Sequence, residues 1–197
     1  MDLLEEIKNN DRQIQNINID YIKIDNISLE DVEFQKVVFS KCNITSSRLE
    51  NSSFYNVSFN NCNFSNTSFE NSTFHNCKFD NCKIEGASFI ENSIFEVTFQ
   101  DTNANLINLS NTHLRNTKFI NTTLKNSYFQ ENKLKNIEFE NTDLRQVQFF
   151  KTSLANVDLS SSIIEGMSIS LEDIKGAVIN ELQSIDLLYL IGVKLKK

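Results

Sequence analysis

The chain has no proline, no tryptophan and only four glycines in 197 residues. Sandwiches and α/β domains of this length usually turn on both Pro and Gly, so the shortage argues against those classes. Long apolar runs are missing too. The longest, LLYLIGV near the C-terminus, falls far short of a bilayer span. The opening MDLLEEIKNN is acidic and has neither the basic stretch nor the apolar core of a secretory signal. Together these absences lead us to expect a soluble cytoplasmic protein. What is abundant is Phe, with 16 copies, and Asn, with 28. A chain this rich in Phe is not disordered, and its length suits one domain with its own core. With Pro and Gly scarce, Asn is left to turn the chain.

A single frame organises the sequence. Of the 34 positions taken every fifth residue from Ile14 to Ile179, all but Ala104 are Phe, Leu or Ile, and 14 of the 16 Phe lie among them. Two residues before each centre the side chain is small or β-branched, except at Arg12, Asn92, Asn132, Met167 and Glu172. Two residues after it Asn recurs, from Asn51 through Asn81 and again from Asn111 to Asn156. A period of five fits neither a helix nor a half-buried strand. It fits a coil that turns a corner every five residues, burying one large and one small side chain per side. Asn suits such corners because its amide can bond nearby backbone and it tolerates unusual φ/ψ. Four sides close a coil of about 20 residues. Coils stacked at about 4.8 Å predict a solenoid on the order of 40 Å long, with caps at its ends.

Segments such as Ser52-Ser53-Phe54-Tyr55-Asn56, Cys62-Asn63-Phe64-Ser65-Asn66 and Thr142-Asp143-Leu144-Arg145-Gln146 resemble the motif of the pentapeptide repeat family. The resemblance implies an all-β solenoid, a right-handed quadrilateral β-helix of about eight coils. The expected division is an N-terminal cap over 1–13, the repeat β-helix over 14–179, and a C-terminal α-helix and tail over 180–197.

Residues 20 apart share a column. Phe39, Phe59, Phe79, Phe99, Phe119 and Phe139 are expected to stack as core, and Ala104 leaves a gap for Leu106 or Ile107 to fill, with a possible bend. Cys42, Cys62 and Cys82 share an inward column and Cys77 lies inward on another side, which predicts free thiols serving as small hydrophobes. His75 and His113 both fall outward, so no metal site is expected. There is no Gly-rich phosphate loop and no nucleophile beside a recognisable base. The chain is therefore expected to be no enzyme and to carry no cofactor.

Charge is uneven. Residues 1–100 hold 15 acidic and 8 basic side chains, whereas 101–197 hold 11 of each. Glu30, Glu50 and Glu70 share an outward column, with Asp80 and Glu85 on adjoining sides, a candidate strip for a basic partner. Ile90, Phe95, Ile120 and Phe150 are apolar at outward positions, a candidate apolar contact. Arg115, Lys133 and Lys135 share one side and Lys125 and Arg145 another, without the interleaved aromatics of a nucleic-acid surface.

At the ends, Asp2 and Glu5 with Leu3, Leu4 and Ile7 suggest a short capping helix. Asn180 and Gln183 can cap a helix carrying Leu182, Ile185, Leu188, Tyr189 and Ile191, stopped by Gly192, with Val193 to Lys196 as an extended tail. The helix is expected to cover the last coil, and its surplus apolar residues, including Leu187 and Leu190, to make a homodimer contact. The run Gly176-Ala177-Val178-Ile179 through Ile191-Gly192-Val193 is similar to the tail of the Qnr and MfpA-type members of the family. That resemblance implies a DNA-mimicking dimer acting on DNA gyrase or topoisomerase IV and protecting it from inhibitors such as quinolones. In two respects the chain departs from that subgroup: the unbroken frame leaves no room for projecting loops, and the C-terminal half is charge-balanced. The other reading is a scaffold or adaptor for a different bacterial protein.

Overall fold

The computed structural model describes residues 3–193. The chain forms a four-sided β-solenoid of about eight turns in which each residue lies over the one twenty positions later. Ile14 pairs with Phe34, Phe34 with Phe54, Phe54 with Phe74, and the column runs on through Ile94 and Leu114 to Leu134. All pairings are parallel. Sides are three residues long, as in Val38–Ser40, except where two adjoining sides run together as Thr73–Asp80, Ser93–Gln100, His113–Ile120 and Lys133–Glu140.

The corners explain the Asn excess. Every corner from Asn16 to Asn156 is left-handed, with φ between 48° and 70°. None of these residues is β-branched, the class for which that conformation costs most. The corner amides do more than tolerate the bend. Asn76 Nδ2 donates to Asn56 Oδ1 and Asn81 Nδ2 to Asn61 Oδ1, each at 2.7 Å, and Asn136 donates to Asn116 at 2.9 Å. Their partners are the corner amides of the coil before, not the nearby backbone. At Gly86, a Cβ would stand 2.4 Å from Asn66 Oδ1, so this corner closes on a residue with no side chain.

Inside, the frame holds from Ile14 to Ile169, almost all of whose centres are buried. The six rings from Phe39 to Phe139 stack face to face, with centroids 4.4–5.3 Å apart and planes within 15° of parallel. Each such pair contributes about 0.5–1.5 kcal/mol beyond its burial. The position two before each centre prefers Ser or Thr for a hydrogen-bonding reason. The Ser52 N–H donates to Ser72 Oγ at 3.0 Å, while Thr112 Oγ1 donates to Phe89 O and Thr152 Oγ1 to Phe129 O, both at 2.7 Å. One hydroxyl thus satisfies backbone groups that the corner leaves unpaired. Asn92 and Asn132 occupy this slot through Oδ1 alone, and the Nδ2 of each is buried without a partner.

Ala104 causes no bend in hydrogen bonding: its N–H donates to Thr123 O at 2.8 Å. Ile107 is buried beside it, whereas Leu106 is a corner and exposed, so Leu106 does not fill the gap.

Leu3–Asn9 forms the N-terminal helix and buries Leu3 and Ile7; Asp2 lies outside the described residues. At the other end the coil frame gives way to a four-residue α-helix, Leu171–Ile174, capped by the Ser170 side chain. The C-terminal helix Leu182–Ile191 is present but wound as a 3₁₀-helix. Asn180 and Gln183 cap it reciprocally: Gln183 N–H donates to Asn180 Oδ1 at 3.0 Å, and Asn180 N–H to Gln183 Oε1 at 2.8 Å. Gly192 ends it at φ 73°. Winding at three residues per turn changes which side chains face inward. Leu187 and Leu190 pack on the core, so they are lids rather than surplus, while Leu182, Ile185 and Ile191 are exposed. The expected tail beyond Val193, including Leu195, lies outside the described residues.

Candidate interaction surfaces

The five acidic residues picked out by position all point outward, but most are paired. Arg48 lies between two members of the column, 3.2 Å from Glu30 and 2.7 Å from Glu50. Glu30 also accepts from Ser28 Oγ at 2.7 Å, and its backbone carbonyl from Arg12. The Arg48 hydrogen bond holds Glu50 below the usual carboxylate range and raises Arg48 in turn. Asp80 meets Lys78 at 3.0 Å and Glu85 meets Lys83 at 3.1 Å, each two residues away on its own side. Glu70 makes no ion pair among the described residues; Ser88 Oγ donates to it at 2.7 Å. Such exposed pairs add little stability, about 0–1 kcal/mol each, but they supply local counter-charge. Other carboxylates, outside those five positions, stand unpaired. Asp20, Asp25, Glu33, Glu91 and Asp101 are exposed and have no ion pair among the described residues. Neither Asp25 nor Asp101 is idle, since Thr45 and Asn121 donate to them.

The four apolar candidates do not form one patch. Phe95 is half-buried between the His75 ring, 4.8 Å away, and the Arg115 guanidinium, 5.1 Å from its centroid. Ile90 and Ile120 are also half-buried, on two other sides. Phe150 alone of the four is fully outward, 57% exposed beneath the Lys151 ammonium. The larger apolar exposure lies at the C-terminal end. Eight of the twelve exposed large hydrophobics fall there: Ile163, Leu171, Val178, Leu182, Ile185, Tyr189, Ile191 and Val193. Leu182, Ile185 and Ile191 stand at three-residue spacing and therefore line one face of the 3₁₀-helix, with half-buried Leu188 between them. Tyr189 is anchored, its hydroxyl donating to Met167 O at 2.5 Å.

The remaining chemistry is sparse. All four cysteines are free and buried. Hydrogen bonding to Cys62 and burial push the Cys42 thiol well up, and burial pushes Cys77 up to about 11. Among the described residues no three His, Cys, Asp or Glu come together as a metal site, and no helix is long and apolar enough to cross a membrane. In the C-terminal half Asp143 is held between Arg145 at 2.6 Å and Lys125 at 3.2 Å. Burial works to raise this carboxyl, and the two cations outweigh it and keep it low.

Two family descriptions match the chain: "Pentapeptide repeat region" over residues 72–149 and "Pentapeptide repeats (8 copies)" over 52–89. No curated protein matches. Among solved structures, full-length QnrB1, a plasmid-mediated fluoroquinolone resistance protein, is 15% identical, covers 92% of this chain and 100% of its own, and has a TM-score of 0.46. HetL, involved in heterocyst differentiation regulation in the cyanobacterium Nostoc sp. strain PCC 7120, is 14% identical over 91% of this chain and 96% of its own, with a TM-score of 0.39. A thylakoid-lumen protein of Arabidopsis thaliana is 14% identical over 66% and 67%, with a TM-score of 0.24. None of these likenesses assigns a function.

Residues 52–149 carry pentapeptide repeats, and the four-sided solenoid extends the same five-residue frame beyond them.

Proposed function

We propose that this solenoid is a non-enzymatic, homodimeric binding rod of the cytoplasm. Its client is a DNA-binding surface on a type II topoisomerase, gyrase or topoisomerase IV, which it occupies in place of DNA and shields from inhibitors such as quinolones. The charge asymmetry carries this reading: the whole net charge of −7 belongs to residues 1–100. Carboxylates repeat there at the coil spacing on a rigid rod. The unpaired Asp20, Asp25, Glu33, Glu70 and Glu91, with Asp101 at the border of the next half, supply most of the attraction, and Glu30, Glu50, Asp80 and Glu85 act through partly compensated pairs. The apolar stripe Leu182, Ile185, Leu188 and Ile191 joins two chains at their C-terminal ends, leaving both acidic halves free.

Purified protein should inhibit or modulate supercoiling at low salt, and the effect should fade as salt screens the charges. Arg48→Gln frees the Glu30 and Glu50 carboxylates and should strengthen the interaction. Full activity of the topoisomerase at every salt concentration, with no complex on gel filtration, rules out this client. Leu182→Glu with Ile185→Glu should halve the mass seen by light scattering; an unchanged mass rules out the C-terminal dimer.

The alternative is a scaffold or adaptor for another bacterial protein, and exposed Phe150 beside Lys151 is the observation that favours it. Partner capture lost in Phe150→Ser yet unchanged by neutralising the acidic residues decides for that reading.

A further inference from the structure

The solenoid has one open seam. Above it, each coil is joined to the next by backbone hydrogen bonds on all four sides; the Asn56 N–H, for example, donates to His75 O at 2.9 Å. The sheet ends at the strand Lys133–Glu140, which pairs with His113–Ile120 and with nothing on its other edge. The next stretch, Ser153–Ser160, makes no backbone hydrogen bond to it. The contacts that remain are side-chain ones at the two ends. Asn132 N–H donates to Thr152 Oγ1 at 3.0 Å, and the hydroxyls of Ser161 and Ser162 donate to Phe139 O at 3.2 Å. On the other two sides the ladder resumes, with Leu144 N–H on Ile163 O and Ser168 N–H on Val147 O, each at 2.8 Å.

Alternation along a parallel strand turns the N–H and C=O of Leu134, and the N–H of Asn136, away from His113–Ile120 and toward the seam. These groups have no partner among the described residues. Beside them lies a cleft of about 250 Å³ lined by Leu134, Lys135, Asn136, Ser153, Ala155 and Val157, among others. Natural sheet edges of this kind are usually covered or paired.

The outward side chains of Lys133–Asn136 and of the strand above it are basic. His113 lies over Lys133 and Arg115 over Lys135, in a two-by-two block on one side of the rod. Among the described residues none of the four makes an ion pair, and the Arg115 guanidinium lies over the Phe95 ring. The nearby acids are committed or turned elsewhere: Glu131 pairs with Lys151 at 2.9 Å, Glu138 with Lys118 at 2.8 Å, and Glu140 and Asp158 belong to the adjoining side, where Asp158 accepts from the Ser160 N–H at 2.8 Å. Phe95 and Ser93 bound the block above, and Ser153 and Ala155 below.

We propose that this seam docks an extended acidic segment of a partner protein by strand addition along Lys133–Asn136. The segment reads acidic–apolar–acidic. Its backbone pairs with Leu134 and Asn136, its two carboxylates face outward beside Lys133 and Lys135, and the apolar residue between them enters the cleft. Both charge and period select it: a strand places alternate side chains on one face, as Lys133 and Lys135 are placed, while the intervening residue faces inward with Leu134.

The test uses the full chain and a fluorescein-labelled Glu-Val-Glu-Val-Glu peptide, read by anisotropy. An oligoglutamate of equal charge and a single-stranded oligonucleotide serve as competitors. The alternating peptide should bind at least about ten-fold more tightly than oligoglutamate. Lys133→Glu with Lys135→Glu should abolish binding, Lys133→Gln with Lys135→Gln should weaken it about ten-fold, and neither pair should move the melting curve. Amide exchange at Leu134 and Asn136 should slow when the peptide is bound. Equal binding of oligoglutamate, unchanged exchange at those amides, or no loss in either double variant overturns the proposal. Lys133- and Lys135-dependent binding of the oligonucleotide without binding of the peptide overturns it too, and assigns the block to nucleic acid.

Discussion

The coils above the seam and the segment below it are written in one uninterrupted five-residue frame, yet they are held together differently. From Gln13 to Phe150 the frame coincides with a continuous backbone ladder and the Phe stacks. From Thr152 onward the same inward pattern continues, with Leu154 and Leu159 fully buried, but two of four sides lose their ladder to the coil above and a short α-helix replaces a side. The frame decides which side chains face inward. Whether neighbouring coils close on one another depends on what fills the inward slots, and the two are separable.

The largest expected difference is in the cost of core truncation. Phe79 sits mid-stack, with ring centroids 4.4 Å and 4.8 Å from Phe59 and Phe99. Phe79→Ala should destabilise global unfolding by about 3–5 kcal/mol. Leu159→Ala, below the seam, should cost less by the same global measure, because that segment can open on its own. Native-state amide exchange distinguishes them. Protons of Ser153–Ser160 should exchange through a local opening, and those of Ser93–Gln100 only through global unfolding. Uniform protection across both would mean the seam is no boundary.

A second expectation runs the comparison in reverse. All four cysteines lie above the seam, and burial raises Cys77 to about 11 from an ordinary value of 9.0. The folded state therefore holds the thiol proton more tightly than the unfolded chain does. Stability from this group is complete below about pH 9 and is lost as pH rises toward 11, by about 2–3 kcal/mol. Denaturant melts at pH 8 and pH 11 should show this loss added to that from the raised Cys42 and Cys62 thiols, and Cys77→Ser should reduce the total by about 2–3 kcal/mol. A pH-independent melt, or one that the substitution leaves unchanged, contradicts the assignment.

Much of this molecule is legible in its sequence because a five-residue period admits so few geometries. The frame alone identifies the stacked Phe column, the corners every five residues and the buried thiols. Other features escape for identifiable reasons. Arg48 pairs with Glu50 on its own side and with Glu30 one coil away, so a column-by-column reading of Glu30, Glu50 and Glu70 omits the cation beside them. Leu187 and Leu190 are surplus apolar residues on an α-helix, and the 3₁₀ winding turns them onto the core. Tyr21 and Leu106 occupy corners, the most exposed positions of the frame, and their place two residues after a centre was signal enough. The seam has only a weak signature. Asn132 and Ile137, in the two inward slots of its coil, are bulkier than the Ser, Thr, Cys or Val that fill most other coils at those positions.

That signature yields the smallest and sharpest contrast. Asn92 and Asn132 are chemically the same defect, each burying an Nδ2 without a partner in a slot where Thr112 satisfies both neighbours. Asn92 lies in a closed part of the rod, where Ser93 N–H reaches Ser72 O at 3.0 Å and His113 N–H reaches Asn92 O at 2.9 Å. Replacing it with Thr removes one unsatisfied donor and should stabilise by about 1 kcal/mol. Asn132 lies at the mouth of the seam. If side-chain bulk in its slot holds the coils apart, Asn132→Thr lets Thr152 and the strand approach, and the gain should exceed that at Asn92. Amide exchange at Leu134 should slow in the same variant. Equal gains at the two positions, with Leu134 still exchanging freely, would locate the cause of the seam in Ser153–Val157 instead, a stretch whose Ser and Ala offer the sheet little to pack against.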